Sequence, residues 1–290
     1  MKKFRILICA TSLLSLVSCV DLNLNPLSEG SSKNWYSSKA EIEMSVNDFY
    51  RTEFFPIDDM LWGDDVTARN STSSIQNGTL TAENGTIANR WQNYYKGIAR
   101  ALRLLNSMDR AREVGVSEKD ITQYEGEAYF YMGYAYGMLA FHWGDAILDK
   151  TGMTLDEAYA ASRSPKADVL AYSYECLDKA AERLPLKYSG LQRATRGAAY
   201  AFKARIALYN GDFAIAADAA KKCMDLGVYK LHDNYRDLFT ASSSEELIFF
   251  FRGDVTLKKY YWAAADVQNC ITRLSGGWGG QKAPSYELIC

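Results

Sequence analysis

Apolar residues recur at every third or fourth position along most of the chain, the spacing of one face of an α-helix. Ser38-Lys-Ala-Glu41 is a capping box, and Ile42, Val46, Phe49 and Tyr50 follow it in helical phase, so a first helix is expected to run to about Phe55 and stop at Pro56. Trp91, Tyr94, Tyr95, Ile98, Leu102 and Leu105 predict a second, from about Ile87 to Val114, ended by Gly115. Ser117 can cap a third, in which Tyr124, Ala128, Tyr131, Ala135, Tyr136 and Leu139 line one face as far as about His142. Its Gly133 and Gly137 let another helix pack close, while Glu125 and Glu127 rule out a membrane span. Trp143-Gly-Asp145 turns the chain, and Leu155 to Ala161 adds a short helical turn. Ser164-Pro165 then reads as cap and first helical residue of a helix whose buried face is Val169, Tyr172, Cys176, Leu177 and Ala180, up to Leu184-Pro185.

The stretch from Tyr200 to Cys223 predicts two helices folded back on each other. Helix formers run to Tyr209, Asn210-Gly211 breaks them, and Asp212 can cap the second helix of the pair. Small residues fall where the two helices must approach, Ala204 and Ala207 on one and Ala216 and Ala220 on the other, with Tyr200 and Phe213 as large packing groups. The pair resembles a degenerate tetratricopeptide unit, with Lys203, Ala207 and Ala220 where the consensus prefers Leu, Tyr and Phe; an ordinary antiparallel helix pair is the alternative. Glu245 to Arg252 is a short apolar run that suits a strand or a buried extended segment. Between the first two helices, Asp58 to about Thr86 is dense in Asn, Ser, Thr, Gly and Asp and shows no period; a loop of that length in a compact domain points to function or disorder.

The N-terminus has its own pattern. Lys2, Lys3 and Arg5 precede an apolar run, Ile6 to Val17, too short to span a bilayer comfortably, and Leu16-Val17-Ser18-Cys19 looks like a bacterial lipobox in which the Cys19 thiol takes a diacylglycerol. Residues 1–18 are therefore expected to be a lipoprotein signal peptide, 19–35 a lipidated tether, and 36–290 a helical domain. Two or three acyl chains, at about 0.8 kcal/mol per buried methylene, make such an anchor effectively permanent. Removing the leader takes the formal charge from −2 to −5, because three cations leave with no acid, and this argues against nucleic acid as a partner. The cysteines outside the leader, Cys176, Cys223, Cys270 and Cys290, form no CxxC, so neither a zinc site nor a disulfide framework is indicated.

Several segments together resemble the SusD/RagB family of outer-membrane nutrient-binding lipoproteins. They are Leu16-Val-Ser-Cys19 with Asp21-Leu-Asn-Leu-Asn-Pro26, Trp91-x-x-Tyr94-x-x-x-Ile98 with Asn106, and Glu125-Gly-Glu-Ala128 through Tyr136 to Phe141-His-Trp-Gly-Asp145. Ser162-Arg-Ser-Pro165, Leu177-Asp-Lys-Ala-Ala181 to Leu184-Pro185, and Ala199 to Gly211-Asp212 complete the order. The resemblance implies an all-α fold of tetratricopeptide-like helical hairpins with long ligand-binding loops and little β structure. Family members are longer, so the C-terminal part of the family fold is expected to be missing. It implies a cell-surface lipoprotein of the outer membrane that binds an oligosaccharide, or a peptide in the RagB branch, and delivers it to a SusC-like TonB-dependent transporter. No cofactor and no catalysis are implied; a purely structural tetratricopeptide-like interaction scaffold is the remaining alternative.

For a sugar, recognition needs flat rings to cover apolar C–H faces and planar polar groups to bond hydroxyls. Trp62 with Asp64, Asp65, Arg69 and Asn70 supplies both kinds within nine residues of the long loop, at the family's first ligand loop by position, while Trp62 as a packing anchor over loop-capping aspartates is the plainer alternative. Trp262 and Trp278 are further candidates, and Trp91, on the apolar face of a periodic helix, reads as core. The adjacent Asp64 and Asp65 do not suit a glycosidase pair, which must flank the bond it cleaves. His142 and His232 lie in no nucleophile or metal motif, and His142 reads as structural.

Overall fold

The computed structural model describes residues 35–56, 63, 66–68, 74–188, 193–238, 244–250 and 282–284. In chain order its helices are α1 (Lys39–Asn47), α2 (Gly85–Leu105), α3 (Met108–Glu113), α4 (Glu118–Trp143), α5 (Leu155–Ala160), α6 (Lys166–Arg183), α7 (Arg196–Asn210), α8 (Phe213–Asp225) and α9 (Tyr235–Leu238). Strands β1 (Val66–Ala68) and β2 (Lys282–Pro284) form a two-stranded antiparallel ladder, in register Val66 to Pro284 and Ala68 to Lys282. The fold is therefore helical with a minimal β component. Among the described residues, no helix is long and apolar enough to cross a membrane.

The centre is α4, because its sequence is apolar on every side. Each residue from Phe130 to Gly137 is buried, so this helix must be surrounded, and α1, α2, α6 and α7 all pack on it. Two of those contacts depend on glycine. A Cβ at Gly133 would lie 2.5 Å from Leu177 Cγ on α6, and one at Gly137 would lie 2.5 Å from Ile206 Cδ1 on α7. The Ser173 hydroxyl on α6 also donates to the Gly133 carbonyl at 2.6 Å, which ties the two backbones together. The expected close approach of soluble helices is thus what the GxxxG spacing provides.

An aromatic cluster closes the other side of α4. Phe49 stacks on Tyr131 at 5.7 Å, Phe55 stacks on Tyr134 at 4.6 Å, and Phe130 meets Phe202 of α7 edge-on at 5.3 Å. This explains why the first helix is shorter than its pattern suggests. It ends at Asn47, passes through a 3-10 turn (Asp48–Tyr50), and leaves helical geometry at Arg51, which lets Phe54 and the out-of-phase Phe55 both enter the core. Phe249 joins the same cluster, 5.5 Å from Phe55 and 5.4 Å from Phe130, from a bend and not from a strand.

Several helix ends follow their sequence signals. Ser38 and Ser117 side chains each accept the backbone N–H three residues on, and Gly115 and Gly211 take positive φ after their helices. Thr195 caps α7 in the same way, at a position the pattern does not single out. At α1 the box is modified, since the Glu41 carboxylate reaches back to Ser37 N–H at 2.7 Å. The second predicted helix divides at Asn106-Ser107, where the Asn106 amide donates to the Thr151 carbonyl at 2.8 Å. Ser164 does not cap α6. It bridges to Ala146, Pro165 takes the cap position, and the Asp145 carboxylate accepts Lys166 N–H at 2.8 Å from across the loop. Asp212 likewise makes no cap bond; its carboxylate accepts the Tyr174 hydroxyl at 2.7 Å.

In the hairpin α7–α8, Ala207, Ala216 and Ala219 are buried, whereas Ala220 is exposed and Phe213, expected as a packing group, is 69% exposed. Lys203, which replaces the consensus Leu, is buried to 8% because its ammonium reaches the Asp178 carboxylate at 2.7 Å and lies over the Tyr174 ring. Cys176 and Cys223 are buried free thiols.

Candidate functional site

The residues that the sequence singles out for ligand binding, Trp62, Asp64, Asp65, Arg69, Asn70, Trp262 and Trp278, lie outside the described residues, as does the lipidation candidate Cys19. Their surroundings in the chain are partly described. β1 occupies residues 66–68 of the long loop and pairs with β2, which follows Trp278 by four residues in sequence, so a backbone ladder joins the loop to the C-terminal stretch. The loop has internal ties as well: the Gln76 amide donates to the Gly63 carbonyl at 2.7 Å, and Asn77 Oδ1 accepts from Thr79 N–H at 3.1 Å. Asn84 closes it by capping the first turn of α2.

Below the loop's exit, α2 begins with the aromatic face that the sequence assigns to the core. Trp91 is half-buried, 5.0 Å from Tyr95 and 5.3 Å from Trp143, and the Arg163 guanidinium lies 5.3 Å from its ring. The Tyr95 hydroxyl accepts from Ile147 N–H at 2.8 Å and donates to the Ile147 carbonyl at 3.0 Å. The Tyr136 hydroxyl holds Asp149 in the same way, at 3.0 and 2.7 Å. These two tyrosines clamp the segment after Trp143-Gly-Asp145 to the helical core. His142 packs between the rings of Phe141 and Trp143, the structural position its sequence context suggests.

One polar cluster in the core is not among the expectations from sequence. Glu127 on α4 is 1% exposed, and its carboxylate accepts from the Tyr50 hydroxyl at 2.6 Å, from Arg193 Nη1 at 3.0 Å and from the Gln123 amide at 3.1 Å. Arg193 also donates to Asn47 Oδ1, and the Tyr50 oxygen accepts Ala194 N–H at 2.9 Å. Burial pushes the Glu127 carboxyl above its ordinary value, against the opposing pull of Arg193, Tyr50 and Gln123. The Glu127 side chain is closed to solvent, so its bonds to Tyr50 and Arg193 position the chain entering α7. The clue was available in the sequence: Glu127 lies in phase with Tyr124, Ala128 and Tyr131, a carboxylate on an apolar face that demands a cation. Burial also raises the Cys176 thiol to about 12, which keeps it protonated and unreactive. Among the described residues, no group of three His, Cys, Asp or Glu side chains could hold a metal ion.

The described residues also form open cavities. One, of about 480 Å³, is an apolar groove along the hairpin, floored by Ala204, Ala216 and Ala217 and walled by Leu208, Tyr209 and Phe213. A second, of about 350 Å³, lies between α2, α4 and α6 and has a mixed aromatic and polar lining. Another, of about 210 Å³, is lined by Lys187, Tyr188, Arg193, Thr195, Tyr229 and Ile248.

The pattern of a SusD-like family, described as starch-binding and associating with the outer membrane, matches residues 31–208. Among curated proteins, the chain is similar to SusD-like protein P2 of Formosa agariphila, with 25% identity over 264 residues, covering 85% of this chain and 52% of that protein. It is also similar to a SusD-like protein of Bacteroides ovatus, with 24% identity over 82% of this chain and 47% of that protein. The chain thus spans about half the length of the curated relatives it matches. Among solved structures, a SusD-like carbohydrate binding protein of Bacteroides fragilis superposes with a TM-score of 0.72 at 22% identity, over 88% of this chain and 53% of that one. A laminarin binding SusD-like protein superposes with a TM-score of 0.61 at 21% identity, over 71% of this chain and 49% of that one.

Proposed function

The chain belongs to the SusD-like family, and on that premise we propose that it is a cell-surface lipoprotein that binds an oligosaccharide and passes it to a SusC-like TonB-dependent transporter, without catalysis. The observation that carries this reading is the family match across residues 31–208 on a matching helical scaffold. Cys19 is the lipid attachment site in this reading, and the acyl chains hold the protein at the outer membrane with its fold facing the exterior. Helices α2, α4, α6, α7 and α8 serve as scaffold, and the loop between α1 and α2 carries the ligand. Trp62 covers the C–H face of a sugar ring, while Asp64, Asp65, Arg69 and Asn70 bond its hydroxyls; Trp262 and Trp278 extend the surface. The β1–β2 ladder supports this assignment, because it joins the candidate loop to the C-terminal stretch that contains Trp278.

The experiment is a screen of the leaderless protein against soluble polysaccharides and peptides by affinity electrophoresis, followed by calorimetry. Binding of a glycan without turnover is expected, and Trp62→Ala should weaken it by about 1–3 kcal/mol, the loss of stacked aromatic area. Glycan affinity unchanged by Trp62→Ala would remove the loop from the site. Hydrolysis of the bound glycan would replace a binding protein by an enzyme.

A further inference from the structure

The 350 Å³ cleft is built from three helices and a turn that come together only in the folded chain. Its volume falls within the range of small-ligand sites, about 300–1,000 Å³. Leu102 and Leu105 of α2, Tyr129 on α4 and Tyr172 on α6 line it together with Lys150 and Glu175. The Tyr129 ring is covered by the Lys179 ammonium at 5.3 Å and the Arg183 guanidinium at 5.2 Å, which leaves its hydroxyl as the group it offers. The charges that line it cancel, two carboxylates against two ammonium groups. Glu175 is paired with Lys179 at 2.6 Å, and Glu125 is held by Arg183 at 3.4 Å and Arg112 at 3.6 Å, so an ionic ligand would meet a field already compensated. A neutral polyol meets the opposite situation. Fixed carboxylates accept from its hydroxyls, and two donors stay available, since the Tyr129 hydroxyl and the Lys150 ammonium have no hydrogen-bond partner among the described residues. Lys150 is instead held over the Tyr172 ring at 4.6 Å, which fixes its position at the rim.

We propose that this cleft is a second glycan subsite, taking a neutral mono- or disaccharide unit, built from α2, α4 and α6 and from no residue of the α1–α2 loop. The proposal rests on the reading of the chain as a carbohydrate binder and adds a site to it. Leu105 lies against the C–H face of the sugar, and the Tyr129 hydroxyl, Lys150 and Glu175 bond adjacent hydroxyls.

The test is hydroxyl-radical footprinting of the leaderless chain with maltohexaose and laminarihexaose, read by mass spectrometry at Tyr129. Oligosaccharide at a concentration equal to the cleft's own Kd, read from the titration of protection at Tyr129, fills half the clefts, so Tyr129 oxidation should slow about twofold there and further above it. The same protection is expected in Trp62→Ala and is expected to vanish in Lys150→Ala/Glu175→Gln, whose exposed positions leave the fold intact. Protection that survives the double substitution, or that disappears with Trp62→Ala, would overturn the proposal. Calorimetric binding without protection of Tyr129 would sink the cleft and leave the proposed function standing. No binding of any glycan by the folded chain would remove both.

Discussion

Two helix pairs in this molecule are built on the same plan and end in different surroundings. In α4–α6, Gly133 opens the contact and Leu177 fills it; in α7–α8, Ala207, Ala216 and Ala219 perform the same service. Both pairs are antiparallel, and both bring a charged residue onto a packing face, Glu127 on α4 and Lys203 on α7. Yet α4 is enclosed on all sides from Phe130 to Gly137, whereas the hairpin leaves Leu208, Tyr209 and Phe213 between 49% and 69% exposed. Close packing inside a pair is thus a local property, read from small residues, while burial of the pair depends on what stacks against it. The consequence is energetic. Equal substitutions should cost much in the first pair and little in the second.

The largest difference is expected at the buried charges. Arg193→Ala leaves the Glu127 carboxylate enclosed with its cation gone, and should cost about 3–5 kcal/mol in chemical denaturation. A loss below about 1 kcal/mol would mean that water reaches Glu127 and that α4 is not enclosed. Gly133→Val comes next. Its first side-chain atom would fall 3.0 Å from the Ser173 carbonyl as well as onto Leu177, and backbone cannot yield as a side-chain tip can, so a loss of about 1–3 kcal/mol or more is expected. Lys203→Met on the hairpin should stay within about 1 kcal/mol, because the partner Asp178 is 47% exposed and recovers water when the ammonium is removed.

The same contrast decides what could be read in advance. Helical spacing marks α2 and α6 because each turns one apolar face to the core, and the caps at Ser38 and Ser117 are contacts within four residues. Contacts made across the fold leave no spacing to find. The carboxylate that caps α6 comes from Asp145, and the cation of Glu127 comes from Arg193, sixty-six positions away. The long loop declares itself by composition alone, and composition names candidate residues without fixing their geometry. The cleft of Tyr129 and Tyr172 is the reverse case. Leu102 and Tyr172 each read as ordinary helix-face residues and Tyr129 belongs to no pattern, and only the packing of α2 and α6 on α4 brings the three to one cavity.

At the exposed end of the comparison, Phe213→Ser, at a side chain 69% exposed, should change stability by no more than about 0.5 kcal/mol in chemical denaturation, as surface substitutions do. A large destabilisation would show that the hairpin groove is covered in the folded chain.

The smallest effect separates two carboxylates of α4 itself, seven positions apart. Asp120, in the first turn, is held below its ordinary value by bonds from the Lys39 ammonium at 2.8 Å and the Ser117 hydroxyl at 2.8 Å. Its contribution to stability is complete above its unfolded value and is lost as pH falls through the lowered folded one. Glu127, raised by burial, behaves with the opposite sign: the folded state holds its proton more tightly, so stability declines as pH rises from 4.5 through the raised value. Carbon-detected NMR titration of the two carboxyls should therefore find Asp120 below and Glu127 above their ordinary positions. If both titrate together, the N-terminal turn and the middle of α4 share one solvent environment, and the enclosure of α4 on which the comparison depends does not hold.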